Sequence, residues 1–305
     1  MRLADHACFH TSQDSQNVVM IAADASFRLG RPAHRAPSEP LLDQPHAAPV
    51  TSWQAFHHAI GRQPLLAQLD HYPDALLIDG CDWSATTAVT RLFKRLPNFA
   101  DSSSGHNDEL DGALLLSGLR GKEAGGRHCF QTSYVRENFR EYFLHEHFRL
   151  VWIVREPRAA ISSLLGNRGK ALPRSAAGGL TGKSRSHGAS RLEKACATYL
   201  ASIRQTLELE ERLGERIAIV DYDELAAERA ELLPALCRFA SVPFDTHLLR
   251  HLHGKSVRKG VLASWEAGIV DELTLPAYRR ARVAARLSPR QFSRTPPTGC
   301  SPPTT

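Results

Sequence analysis

A chain of 305 residues with 42% hydrophobic content holds enough apolar material for one large core or two small ones. Lys and Arg exceed Asp and Glu to give a formal charge of +6, which suits an anionic ligand but is too diffuse to imply nucleic acid. Cys8, Cys81, Cys129, Cys196, Cys237 and Cys300 stand singly, with no CxxC pair and no Cys/His cluster at zinc spacing, so they read as reduced thiols and no metal site is expected.

The sequence does not open with a basic start followed by an uninterrupted apolar run, and no apolar stretch reaches bilayer length. The expectation is a soluble, cytoplasmic protein with no membrane or nucleic-acid partner. Residues 1–50 mix His, Pro, Ser, Asp and Arg with short apolar runs, and read as a poorly ordered arm. From Ser288 the chain is rich in Pro, Ser and Thr, so 288–305 reads as a tail, leaving one α/β domain over 51–287.

Within that domain, apolar runs alternate with amphipathic segments. Residues 76–78 lead into a helix expected over 84–96, with Val89, Leu92, Phe93 and Leu96 on one face. Short strands are expected over 129–132 and 150–154; the continuous apolar run of the latter fits burial on both faces of a parallel sheet. A basic, Gly- and Ser-rich connection over 167–188 reads as a mobile loop. A long helix over 190–213, a strand over 216–220 and one or two helices over 223–240 follow. Strands alternating with helices predict a mostly parallel sheet.

Two segments carry chemistry. The first is LLIDGCDWSATTAVTRLF, which puts Gly80 at the end of a buried strand and Ser84, Thr86 and Thr87 at the start of a helix. Free N–H groups and the dipole at a helix N-terminus attract an anion, and hydroxyls add uncharged donors. Read without that role, Ser84 is simply an N-cap. A Walker-type loop requires Lys where Thr86 stands; the later Gly182-Lys183-Ser184 has no preceding strand and lacks the first glycine. The second segment is RLVWIVREPRAAISSLL, with Arg155 at the carboxyl end of a strand, where open α/β sheets bind ligands, and Ser162 and Ser163 on the next helix.

The first segment is similar to the phosphosulfate loop of sulfotransferases, roughly G-x-x-[RK]-S-G-T-T, here Gly80-Cys81-Asp82-Trp83-Ser84-Ala85-Thr86-Thr87. Trp83 replaces the family's basic residue, and Ala85 replaces its second glycine, a change expected to be tolerated at negative φ. Arg155 and Ser163 resemble the family's pair for the nucleotide 3′-phosphate, with Ser162 as a neighbouring choice. Arg258-Lys259-Gly260 followed by Trp265 resembles its late basic segment, with Ala263 in place of the last glycine. The run 219–225 resembles its strand-to-helix signature, in which Asp223 and Glu224 read as helix N-terminal acids and Tyr222 as partly buried.

The resemblance implies a three-layer α/β sandwich of the P-loop nucleotide-binding type. It also implies a sulfotransferase using 3′-phosphoadenylyl sulfate (PAPS) as donor, without metal, on a hydroxyl or amine of a small-molecule or carbohydrate acceptor. The family's K-T-H segment is here Gln131-Thr132-Ser133, which offers neither Lys nor His. The candidate bases are therefore His106 and Glu109, and Arg91, Lys94 or Lys183 are the candidates to replace the charge lost at Trp83. The departures at Trp83 and Gln131 motivate a second reading, a catalytically impaired homologue acting as a nucleotide-binding or scaffolding module.

Overall fold

The computed structural model describes residues 50–100, 108–121, 126–166, 191–251 and 262–284. The expected arm up to residue 49, the basic connection over 167–188 and the tail lie outside the described residues.

Four strands, β1 (Leu76–Gly80), β2 (Cys129–Gln131), β3 (Arg149–Val154) and β4 (Ile217–Asp221), form one parallel sheet in the order β2-β1-β3-β4. Each is an apolar run, because a parallel sheet with helices on both faces exposes neither face to water. The period of two along the strands sorts the side chains. Leu77, Leu150, Trp152, Val154, Ile217 and Ile219 face one core. Leu76, Ile78, Val151, Ile153, Ala218 and Val220 face the other.

The first face is covered by α1 (Trp53–Ile60), α3 (Asp108–Ser117), α4 (Pro157–Gly166), α5 (Arg191–Leu213) and α9 (Ser264–Ala284). The opposite face is covered by α2 (Thr86–Phe93), α6 (Tyr222–Ala227), α7 (Arg229–Phe239) and the short α8 (Leu248–His251). The described residues thus form the three-layer α/β sandwich expected. Inside the first layer Trp152 is fully buried, and its indole N–H donates to Thr206 Oγ1 of α5 at 2.8 Å, satisfying the one polar atom that its burial would strand.

The elements differ from the expected spans at their ends. Helix α2 runs only from Thr86 to Phe93, and the region 223–240 divides into α6 and α7 at Glu228. A 3-10 segment over Ser133–Leu144, kinked at Asn138, and α9 with its internal Pro276 were not anticipated. No helix among the described residues is long and apolar enough to cross a membrane.

Gly80 joins the sheet to the functional region. A Cβ built there would sit 2.2 Å from the Ile153 carbonyl oxygen and 2.8 Å from its nitrogen, so β1 and β3 approach as closely as they do only because position 80 has no side chain. The chain then turns back, with Cys81 N–H donating to that same carbonyl at 2.9 Å. Gly80→Ala is expected to separate the strand ends and cost more than about 2 kcal/mol, in the range of overpacked cores. Urea denaturation measures this, and an unchanged midpoint would show that the approach is not a constraint.

Candidate functional site

At the carboxyl end of β1 the chain enters a loop that bends twice through left-handed backbone, at Trp83 (φ 63°) and Ala85 (φ 71°). The condition on which a methyl group at position 85 is tolerated, a negative φ, is not met: Ala85 is the N-cap of α2 in the left-handed region, where a methyl group costs about 1 kcal/mol or more. Ser84 is not the cap. Its hydroxyl is fully buried and has no hydrogen-bond partner among the described residues. The N–H groups of Ala85, Thr86 and Thr87 likewise have no acceptor among the described residues. Alternating backbone hands of this kind turn successive N–H groups inward as a concave anion nest at a helix N-terminus.

Gln131, at the end of the neighbouring β2, organises the far side of the loop. Its buried amide nitrogen lies 3.1 Å from Thr86 Oγ1, 3.1 Å from Thr87 Oγ1 and 2.7 Å from Glu109 Oε1. The residue that supplied neither Lys nor His therefore ties α3 to the loop hydroxyls. Burial pushes the Glu109 carboxyl up, while hydrogen bonds from Ser133 and Gln131 pull it back. His106, the other candidate base, lies outside the described residues.

Arg155 reaches the same loop from β3. It is almost fully buried, its Nη1 donates to the Trp83 carbonyl at 3.4 Å, and Tyr199 hydroxyl donates to its own carbonyl at 2.7 Å. Its Nε has no hydrogen bond and stands 3.6 Å from Asp223 Oδ1, while the guanidinium lies 5.8 Å from the Tyr222 ring centroid. Asp223 and Glu224 occupy the first turn of α6, and the Asp221 carboxylate accepts from both of their N–H groups. Ser163 is buried on α4, and its hydroxyl donates to the Ala159 carbonyl at 2.8 Å, so its proton is spent within its own helix; Ser162 is buried beside it. Arg258, Lys259 and Gly260 lie outside the described residues, and Trp265 is exposed on α9.

Two of the basic residues named as candidates to replace the charge lost at Trp83 are engaged elsewhere. Lys94 and Arg91 both pair with Asp108 of α3, at 2.8 and 3.0 Å, and together they overcome burial to hold that carboxyl below its usual range. Lys183 lies outside the described residues. Besides Arg155, a cation at the loop is Arg136, from the 3-10 segment, which pairs with Asp82 and stands 3.8 Å from Asp79 Oδ1. Nothing in its local pattern marked it. Only its fold neighbours, residues at the end of β1, reveal the role.

Asp79 is the buried anchor of this arrangement. Its carboxylate accepts from Gly80 N–H at 2.7 Å and from Tyr142 hydroxyl at 2.9 Å, and Tyr142 in turn pairs with Thr132. Burial pushes its pKa up to about 6, with Arg136 opposing.

No family model matches the chain, and no curated protein matches it. The chain is similar to solved sulfotransferases. One is mouse sulfotransferase SULT7A1 complexed with PAP, at 14% identity over 75% of this chain and 93% of that one, with a TM-score of 0.46. Another is STF9 from Mycobacterium avium, at 13% identity over 74% and 84%, with a TM-score of 0.46. The sulfotransferase domain of the Synechococcus PCC 7002 olefin synthase matches at 16% identity over 69% and 94%, with a TM-score of 0.43. The likeness is one of overall fold, and the roles of side chains stand on the geometry above.

Two expected outcomes follow from the loop. A capping serine loses about 1 kcal/mol on truncation, whereas Ser84→Ala, removing an unpartnered buried hydroxyl, should leave stability unchanged or slightly raised; thermal denaturation decides between them. Asp79, pushed up from an ordinary value near 4, binds its proton more readily folded than unfolded. Stability should therefore fall as pH rises from about 4 to about 6, by on the order of 2–3 kcal/mol, and stay at the lower level above that window. Asp79→Asn should flatten this descent in melts scanned across pH, and an unchanged slope would assign the titration to another group.

Proposed function

We propose that the protein is a sulfotransferase that moves a sulfuryl group from PAPS to a hydroxyl or amine of a small-molecule or carbohydrate acceptor. The observation that carries this is the buried, unpartnered Ser84 hydroxyl set among the free N–H groups of Ala85, Thr86 and Thr87, with the Arg155 guanidinium against the same loop. A buried donor left without a partner is rare because it costs about 1–3 kcal/mol, and the helix-start N–H groups beside Ser84 have no intrahelical acceptor, so an anion that receives from them together best accounts for the arrangement. The residues present fit a nucleotide with phosphates at both ends.

In this reading the loop N–H groups and Ser84 hold the 5′-phosphate side, and Arg155 holds the 3′-phosphate, its fork matching phosphate oxygens. Ser163 would assist Arg155 by turning its hydroxyl out of the helix, and Arg258, Lys259 and Gly260 would close the same phosphate. Bound donor supplies the sulfuryl group and, after transfer, departs as adenosine 3′,5′-bisphosphate. Glu109, raised by burial and fixed by Gln131, takes the proton of the acceptor hydroxyl as that oxygen bonds to sulfur. Thr86 and Thr87 donate to oxygens that gain charge as the sulfur–oxygen bridge breaks.

The second reading, a nucleotide-binding homologue without transfer, is favoured by one observation. Arg136, whose partner Asp82 immediately precedes Trp83, is held by Asp82 and Asp79 and faces them in its ion pairs. Isothermal titration with adenosine 3′,5′-bisphosphate, followed by transfer of labelled sulfate to an acceptor panel, separates the two. Saturable micromolar binding is expected, weakened by about 1.5–3 kcal/mol in Arg155→Gln. Glu109→Gln should cut transfer by about 10²–10⁴-fold with binding kept. Binding without transfer to any acceptor selects the second reading, and no saturable binding overturns both.

A further inference from the structure

At the opposite end of the sheet, where the strands begin, a cavity of about 590 Å³ lies among Ala75 before β1, His128 before β2 and Arg149 at the start of β3. Arg127 and Arg149 both lie in its wall and converge on Ser241 at the end of α7. Arg127 donates from Nη1 to the Ala240 carbonyl and, at 3.5 Å, to that of Ser241; Arg149 donates from Nη1 to the Phe239 carbonyl and the Ser241 hydroxyl. Arg127 Nε donates to the main-chain carbonyl of Asp74 at 2.6 Å. Every one of these acceptors is neutral.

A structural role explains part of this. Helix α7 ends in a Schellman turn, with Ser241 N–H donating to Arg238 and Val242 N–H to Cys237, and cations suit the negative end of a helix. That end carries only about half a charge, against two guanidiniums. Neither arginine ion-pairs with a carboxylate among the described residues, and the Asp74 side chain, also in the wall, is exposed. Burial first, and then the Arg149 charge, depress the Arg127 pKa, with the Asp74 carboxylate opposing them.

The geometry is fixed rather than accidental. Arg127 lies over the Phe99 ring at 5.2 Å and Arg149 over Phe239 at 5.9 Å, which orients both planes. His128 is stacked on Phe130 and edge-on to Tyr72, with centroids 5.4 and 4.9 Å apart. Ser241, where the two cations meet, holds a left-handed φ of 54°, a conformation usually left to glycine. Arg127 Nη2 and Arg149 Nε and Nη2 donate to no described residue.

We propose that this cavity is a second anion site, distinct from the loop at Gly80, that takes a small phosphate-bearing molecule. Two guanidinium forks with donors to spare, flanked by His128, His147 and Asn98, offer more N–H groups than a carboxylate can accept and match the three free oxygens of a phosphate. The volume lies within the range of small-molecule sites.

Isothermal titration of the full chain with inorganic pyrophosphate tests this, alongside NMR of the histidine side chains. The expected result is a saturable step that Arg149→Gln weakens about tenfold or more, that Arg155→Gln leaves in place, and that shifts the imidazole signals of His128 and His147. Arg149 is exposed, so its loss should spare the fold; should that variant fail to fold, the imidazole signals of the unaltered chain decide. The proposal is overturned by the absence of a saturable step at millimolar pyrophosphate, by a step lost in Arg155→Gln but kept in Arg149→Gln, or by unmoved His128 and His147 signals at saturation.

Discussion

The architecture of the candidate site depends on the backbone contact between Gly80 and Ile153. Parallel strands set about 4.8 Å apart leave no room at this point for a side chain, because the chain must leave β1 while still pressed against β3. The same Ile153 carbonyl then accepts from Cys81, so the loop starts from a fixed place and in a fixed direction. The distance between the loop and Arg155, two residues beyond Ile153 and just past the end of β3, follows from that anchor. The loop with its unpaired N–H groups and a guanidinium are brought together by one close approach rather than by independent folding of two segments.

Holding the loop there carries costs that the surroundings offset. Trp83 and Ala85 occupy left-handed backbone without being glycine, and Asp79 buries a carboxyl group directly beneath them. Gly80 N–H, Tyr142 and Arg136 satisfy that carboxyl, and Arg136 extends the pairing to Asp82 in the loop itself. Removing one partner of such a buried set is far more damaging than the set is stabilising. The network thus fixes conformation more than it contributes stability, which is what an anion nest requires, since its N–H groups must converge before an anion arrives.

Much of this fold was legible in the sequence because burial on both faces turns a parallel strand into an apolar run. That is why LLI, LVWIV and IAIV stood out, and why Gly80 and Arg155 could be placed at strand ends. The hand of the loop was not legible: Ala at position 85 argues locally for negative φ, and only the geometry of the β1 exit overrides it. Arg136 was hidden for a different reason. It sits in a polar stretch with an interrupted helical period, kinked at Asn138, and its partners Asp79 and Asp82 lie more than 50 residues away. Gln131 read as a loss of Lys and His, whereas its amide is the hub joining Glu109 to the loop hydroxyls.

The two ends of the sheet show how one topology yields different chemistry. At the carboxyl ends, β1 and β3 lie side by side and deliver a main-chain nest with one arginine, so most of the attraction for an anion comes from N–H dipoles that need no counter-ion when empty. At the amino ends, the order β2-β1-β3 sets Arg127 and Arg149 on either side of β1, and α7 ends against both. There the attraction comes from two full charges whose mutual repulsion is only partly relieved by the helix end. Dipoles discriminate by shape and tolerate the absence of ligand, whereas paired cations favour ligands of high charge and lose strength as salt screens them. The loop is therefore suited to a ligand read by geometry, and the opposite cavity to one read chiefly by charge.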